Sequence, residues 1–207
     1  GEIIEIIKTS PERIEAKCKH FFNPFLPLGE GLGMRESCGG CHYQNLSYEN
    51  QLRAKTEILK DQLQRIGKIE NPPIQKMIPS QNEWNYRNHI QFHLTNEGKI
   101  GYVFPLSKGE GRVREIEECH LPDKEIDSFW KELNFESKAN IERVSLRSGE
   151  ENDLMLILEA ESPETPELEI EADVSVVHLY EDHPVVIAGQ DHIFIKVLDK
   201  VFKVSAS

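Results

Sequence analysis

No stretch of this 207-residue chain approaches the roughly 18 to 20 consecutive apolar residues that a membrane-spanning helix needs. The opening GEIIEIIKTSPERIE lacks the basic-then-apolar layout of a secretory leader. A cytoplasmic protein with no membrane partner is therefore expected. Positive charge is also in deficit, with 24 Lys and Arg against 36 Asp and Glu and a formal net charge of -12. Phosphate binding is driven by clustered Lys and Arg, so this balance excludes gripping nucleic acid by overall electrostatics and leaves only local contacts. Cysteines are few, at four. In a reducing compartment a small set of thiols is better explained by metal ligation or redox chemistry than by structural disulfides. The sequence has no internal repeat.

What is present is the composition of a soluble globular protein, 38% hydrophobic and 29% charged. The first residue is Gly1 rather than Met, and Glu2 to Ile7 reads as a short strand with no partner before it, so the sequence is expected to begin inside a larger protein. From Cys18 to Cys41 the chain is rich in Gly, Pro and aromatics without periodicity and reads as an irregular loop organised by a ligand. Ser47 can cap a helix carrying Leu52, Ile58, Leu59, Leu63 and Ile66 at helical spacing, with Gly67 placed to end it. From Tyr86 the pattern alternates, with Ile90, Phe92 and Leu94 on one face and His89, Gln91 and His93 on the other. The turn Asn96 to Lys99 and a return strand Ile100 to Phe104 complete a hairpin.

Pro122-Asp123 starts a short helix with Ile126, Phe129, Trp130 and Leu133. Strands follow at Ile141 to Leu146, Leu154 to Leu158, Val174 to Tyr180, Val185 to Ile187 and Ile193 to Val204. The acidic stretch Glu161 to Asp173 reads as a solvated connection. The fold class expected is α+β, a loop-rich segment and a helix packed on a mainly antiparallel sheet.

Cys38-Gly39-Gly40-Cys41 sets two thiols close together with glycines between them, so the backbone can curl around a metal unobstructed. A redox dithiol normally follows a strand and opens a helix, whereas this pair lies in a loop. With Cys18 upstream and Cys119 downstream, the set suits four-thiolate ligation of an iron-sulfur cluster. A zinc ribbon usually offers a second C-x-x-C, which is missing. Two other readings stay open at this point. Cys18 and Cys119 are also suited to burial as apolar side chains, and His20, His42 and His120, beside the cysteines, to a zinc site.

The run Ser10-Pro11-Glu12-Arg13, Cys18-Lys19-His20-Phe21, Cys38-Gly39-Gly40-Cys41 with Gln44, and a helix with Gln51 and Lys55 resembles the iron-sulfur segment of the RNA (uracil-5-)-methyltransferases. Trp84, Tyr86-Arg87 and Phe92 resemble that family's W-x-Y-R-x(4)-F strand, Gly101-Tyr102 its return strand, and Glu118-Cys119-His120-Leu121 the segment of its fourth cysteine ligand. The resemblance covers nearly the whole chain. It implies a three-part enzyme: an N-terminal β-barrel RNA-binding module, a central domain with a [4Fe-4S] cluster, and a C-terminal domain that binds S-adenosylmethionine.

On that basis residues 1–12 look like the end of the TRAM-like barrel, 13–46 like the cluster segment, and 47–207 like the central domain, with Cys119 returning to the cluster. The catalytic domain lies beyond the sequence. The family's nucleophilic cysteine has no counterpart, because Cys18, Cys38, Cys41 and Cys119 all match cluster positions, so this piece alone is expected to be inactive. The implied substrate is RNA, ribosomal ranking ahead of transfer RNA, and a monomer is expected.

The chain departs from the family at two places. Nineteen residues separate Cys18 from Cys38, where Asn23 to Ser37 looks inserted, and Val103 stands where many members place Arg. Candidate RNA contacts are Tyr86, Arg87, His89, Arg112 and Arg114; scattered surface arginines are the more frequent reading of Arg87, Arg112 and Arg114, core burial explains Tyr86 at least as well, and the polar face of a half-buried strand explains His89 equally simply. Gly29 to Gly33 imitates a cofactor-binding Gly loop but follows no parallel strand.

Overall fold

The computed structural model describes residues 12–21, 38, 40–105, 111–137, 140–166 and 168–206. The expected strand Glu2 to Ile7 and the insert Asn23 to Ser37, with its Gly29 to Gly33 run, lie outside the described residues. Two compact units are present, Gly1–Glu83 and Trp84–Ser207. Among the described residues no helix is long and apolar enough to cross a membrane.

In the first unit, helix α1 (Tyr48–Asp61) begins where Ser47 Oγ accepts the Asn50 amide at 3.4 Å, meeting one of the donors a helix start leaves unpaired. The last turn widens into a π-helical stretch, Gln62–Ile66, before Gly67 ends it. The apolar stripe expected on this helix is present, but no residue of α1 is buried, and Ile58, Leu59 and Ile66 are exposed.

The second unit holds the strands. They are β1 (His89–Leu94), β2 (Ile100–Pro105) and β3 (Gly111–Glu115), then helix α2 (Lys124–Trp130), then β4 (Ile141–Ser148), β5 (Leu154–Ala160), β6 (Ser175–Tyr180), β7 (His183–Ala188), β8 (His192–Val197) and β9 (Lys200–Ser205). Seven form one sheet in the order β3-β2-β1-β4-β5-β6-β7, while β8 and β9 pair apart as a hairpin. All neighbours in the sheet are antiparallel except β5 and β6. A parallel pair cannot be closed by a tight turn. The acidic connection after Ala160 supplies the longer return, as a solvated connection should. The fold is therefore α+β with a mainly antiparallel sheet, as the sequence indicates.

Alternation assigns the faces. Ile90, Phe92 and Leu94 are buried, and their registered neighbours Leu146, Val144, Leu156 and Leu158 continue the apolar face across β4 and β5. Helix α2 covers it: Asp123 Oδ1 accepts the Ile126 amide at 3.0 Å, Ile126, Phe129 and Trp130 are buried, and the Trp130 ring lies 5.4 Å from Phe92. Leu133 falls beyond the helix. On the other face, the β8–β9 hairpin covers the β5–β6 half, burying Met155, Ile157, Val177, Ile193 and Ala206 together. The expected single strand Ile193 to Val204 is thus two, reversed at Leu198, whose φ is +57. Strand β7 forms one edge of the sheet and every residue in it is exposed.

His178 sits in the core, 1% exposed and in register with Leu158, and its Nε2 has no hydrogen-bond partner. A buried polar atom left unpaired costs about 1 to 3 kcal/mol. His178→Leu should therefore raise stability by about 1 kcal/mol, read as a higher urea midpoint at unchanged slope.

Candidate functional site

The cysteine loop of the first unit is held by its own backbone. Arg13 bridges Leu46, the Ile14 amide donates to Asn45 O at 3.0 Å, and the Cys18 amide donates to the buried Gln44 Oε1 at 3.0 Å. The Phe21 amide turns back to Cys18 O at 3.1 Å, and the Cys38 amide donates to His20 O at 3.3 Å, so the Cys18 and Cys38 segments lie side by side. Gln51 Nε2 donates to Leu46 O at 3.0 Å, and Arg53 pairs with Glu12, tying the loop to the start of α1. Cys18 and Cys38 are buried, Cys41 is half-buried, and none of the four cysteines is in a disulfide. Soft, reduced thiols suit iron-sulfur or zinc ligation. Among the described residues, however, no three Cys, His, Asp or Glu side chains are gathered into a metal-holding group.

Cys119 belongs to the second unit. Residues 85–87 run beside 120–123: the Asn85 amide donates to His120 O at 2.9 Å, the Arg87 amide to Leu121 O at 3.0 Å, and the Asp123 amide to Arg87 O at 2.8 Å. The Trp84 ring meets His120 edge-on at 5.9 Å. This clasp fixes the Glu118 to Leu121 segment, with Cys119 buried and its Sγ 3.9 Å from the Tyr102 hydroxyl. Tyr102 reaches it because β2 and β3 approach closely at Gly101, where an added Cβ would run into the Arg114 carbonyl.

The candidate RNA-contacting residues fall on different faces. Tyr86 is exposed and Arg87 half-buried in the clasp. His89 lies opposite Arg147, Gln91 opposite Ser145, and His93 opposite Arg143, all on the face away from α2. Arg112 and Arg114 stand on β3 opposite Phe104 and Tyr102, which places them on the other face, at the sheet edge. The structure thus does not gather the five residues into one patch. It adds Arg143 and Arg147, which sequence reasoning misses. Their alternation with Val144 and Leu146 is legible, but their pairing with β1 depends on a register no local signal carries. Burial, and next the Arg147 guanidinium, hold the His89 imidazole below its ordinary pKa, with Arg87 acting the same way. His93 is lowered as well, mainly by burial.

No protein-family model matches the chain. It is 37% identical over 127 residues to an uncharacterized RNA methyltransferase of Aquifex aeolicus, an alignment covering 61% of this chain and 26% of that protein. A second uncharacterized RNA methyltransferase, of Clostridium tetani, is 25% identical over 228 residues, covering 97% of this chain and 46% of that protein. The chain therefore spans between a quarter and a half of the length of these relatives. Among solved structures, the Pyrococcus abyssi tRNA (uracil-54, C5)-methyltransferase in complex with S-adenosyl-L-homocysteine superposes with a TM-score of 0.56 at 17% identity, over 97% of this chain and 47% of that one. That likeness is one of fold.

Proposed function

We propose that this chain is the cluster-binding and RNA-presenting portion of an S-adenosylmethionine-dependent RNA (uracil-5-)-methyltransferase that acts on ribosomal RNA in the cytoplasm. The observation that carries the reading is the 37% identity to an RNA methyltransferase over 127 residues. It is joined by the order of the motifs around Cys18, Cys38, Cys41 and Cys119. Residues 1–12 are assigned to the end of a barrel-like RNA-binding module, 13–46 to the cluster segment and 47–207 to the central domain. Methyl transfer and S-adenosylmethionine binding are assigned to sequence outside the chain, because all four cysteines here match ligand positions and none is left to attack uracil.

Cys18, Cys38, Cys41 and Cys119 would hold the [4Fe-4S] cluster. Cys18 and Cys38, both buried, without a disulfide and on segments joined by the Cys38 amide to His20 O bond, support this assignment. The cluster supplies cross-linking to a segment with little core of its own, and the transfer of a methyl group needs no electrons from it. Tyr86, Arg87, His89, Arg112 and Arg114 are assigned to RNA contact, with Tyr86 exposed to stack on an unpaired base.

The test is methyl transfer by the full-length protein from labelled S-adenosylmethionine to unmodified ribosomal and transfer RNA, followed by nucleoside analysis. Label in 5-methyluridine from ribosomal RNA is expected. Label confined to another nucleoside overturns the uracil assignment, and label confined to transfer RNA overturns the choice of substrate. Zinc without iron in anaerobically purified chain replaces the cluster with a zinc-organised RNA-binding module.

A further inference from the structure

We propose that the open part of the sheet face between β1, β4 and the β8–β9 hairpin is a binding groove for the phosphate backbone of single-stranded RNA, built on His89, Arg147 and Lys203. This rests on the RNA reading above and names where the strand would lie. The groove encloses about 550 Å³ and is lined by Asn88, His89, Arg147, Lys203, Val204 and Ser205, among others. The hairpin contributes Ile195 and Val204 beside Lys203 and Ser205, and the sheet side contributes Asn88, His89 and Arg147, a trough in which a sugar-phosphate chain finds donors beneath it.

Charge points to the same ligand. The chain carries a net -12, yet this face collects Arg143, Arg147 and two histidines from β1 and β4, with Lys203 beside them. The acids nearby are already engaged. Glu159 is held by Arg143 at 2.6 Å, Gln91 at 2.8 Å and Ser145 at 3.3 Å. Asp191 is bonded to His192 at 2.6 Å and lies 3.9 Å from Lys203. Arg147 donates to the Ser205 carbonyl, which fixes the guanidinium at the groove floor.

Cross-strand pairing sets Arg147 opposite His89 and Arg143 opposite His93. A protonated imidazole there would face a like charge, and both imidazoles are held below their ordinary pKa, burial being the main cause. Burial, then Arg147 and Arg87, oppose protonation of His89, while Glu159 favours it. A phosphate in the groove would reverse that, since it satisfies the arginines and favours the imidazolium. Arg143, four residues and roughly 13 Å from Arg147 on the same strand, is paired with Glu159, so Arg147 and Lys203 carry the phosphate contact in the groove.

The experiment is fluorescence anisotropy of this chain with a fluorescein-labelled single-stranded RNA of about a dozen nucleotides, titrated between 50 and 200 mM salt. The double variant Arg147→Gln with Lys203→Gln should bind about tenfold more weakly at the low-salt end, and its log-log salt slope should fall by about 1.4, two contacts at 0.7 each. The control Arg65→Gln with Lys131→Gln removes the same charge from ion pairs elsewhere, and should change affinity less than twofold. Lys203→Glu alone, at a largely exposed side chain, should weaken binding about fivefold even if the Arg147 change perturbs folding. Wild-type affinity and salt slope in the double variant, or equal losses in the control, would overturn the groove and leave the RNA reading standing. Absence of RNA binding by the unaltered chain would overturn both.

Discussion

Replacing Cys38 by Ser should take anaerobically purified protein from about four irons and four sulfides per chain, the content of one [4Fe-4S] cluster, to nearly none. The same change should also release the loop. Hydrogen bonds such as Ile14 to Asn45, Cys18 to Gln44 and Cys38 to His20 join segment 12–21 to Cys38 and to segment 40–46, and the adjoining helix α1 buries no side chain. On the proposed cluster reading, a segment so poor in core would draw its order from ligation. Proteolysis near Cys41 should therefore become faster in the variant, while the melting of the sheet unit changes little. Full iron content with unchanged cleavage would show that Cys38 is not a ligand. Cys119→Ser should lose the cluster as well and speed cleavage near Cys41 to the same extent, because the loop would lose the same ligation; faster cleavage in Cys38→Ser alone would trace the effect to the loop itself and not to the cluster.

The second large effect is expected at Phe92. Its side chain is 0% exposed on the interior strand β1, with the rings of Tyr102 and Trp130 each 5.4 Å away. Phe92→Ala removes the ring joining the sheet to α2 and leaves a cavity that the flanking strands, fixed by register on both sides, cannot close. A loss of about 4 kcal/mol is expected, a large share of the stability of a domain this size. Gln91→Ala, on the opposite face of the same strand, should cost about 1 kcal/mol or less through its bond to Glu159. Urea unfolding of both variants checks the pair. Similar losses would mean that β1 does not present Phe92 to the core.

The contrast between these two residues also marks how far local sequence carries the fold. The alternation His89 to Leu94 has its own period, so the buried and open faces of β1 are legible residue by residue. The helix starts at Ser47 and Asp123 are legible because capping is local chemistry, a side-chain oxygen meeting an amide three residues on. Strand β3 is not, since Gly-Arg-Val-Arg-Glu has one apolar residue and becomes a strand only because β2 offers it an edge. The turn within Ile193 to Val204 is hidden for a related reason: Leu198 takes a left-handed conformation that its side chain does not advertise.

The same limit applies to the site. Cys38 and Cys41 announce themselves by spacing, and their neighbourhood with Cys18 follows from the Cys38 to His20 bond. The cations around His89 come from strands far apart in sequence, Arg147 on β4 and Lys203 on β9. The sheet order brings Arg147 beside His89, and the packing of the β8–β9 hairpin on that face brings Lys203. Conversely, Arg112 and Arg114 look like partners of His89 in sequence, yet pairing with β2 turns them to the other side.

The open edge at β7 gives the chain's charge a second meaning. Val185, Val186 and Ile187 are exposed on a strand that has no outer neighbour among the described residues, and Pro184 takes one amide donor out of that strand. An apolar edge of this kind is a template for pairing with a second molecule, and what opposes it is colloidal repulsion between like-charged molecules. That repulsion is strong at neutral pH, where the net charge is -12, and vanishes towards the isoelectric point near 5.2. The acid content that weakens any general hold on RNA is thus also what keeps one exposed strand from meeting another.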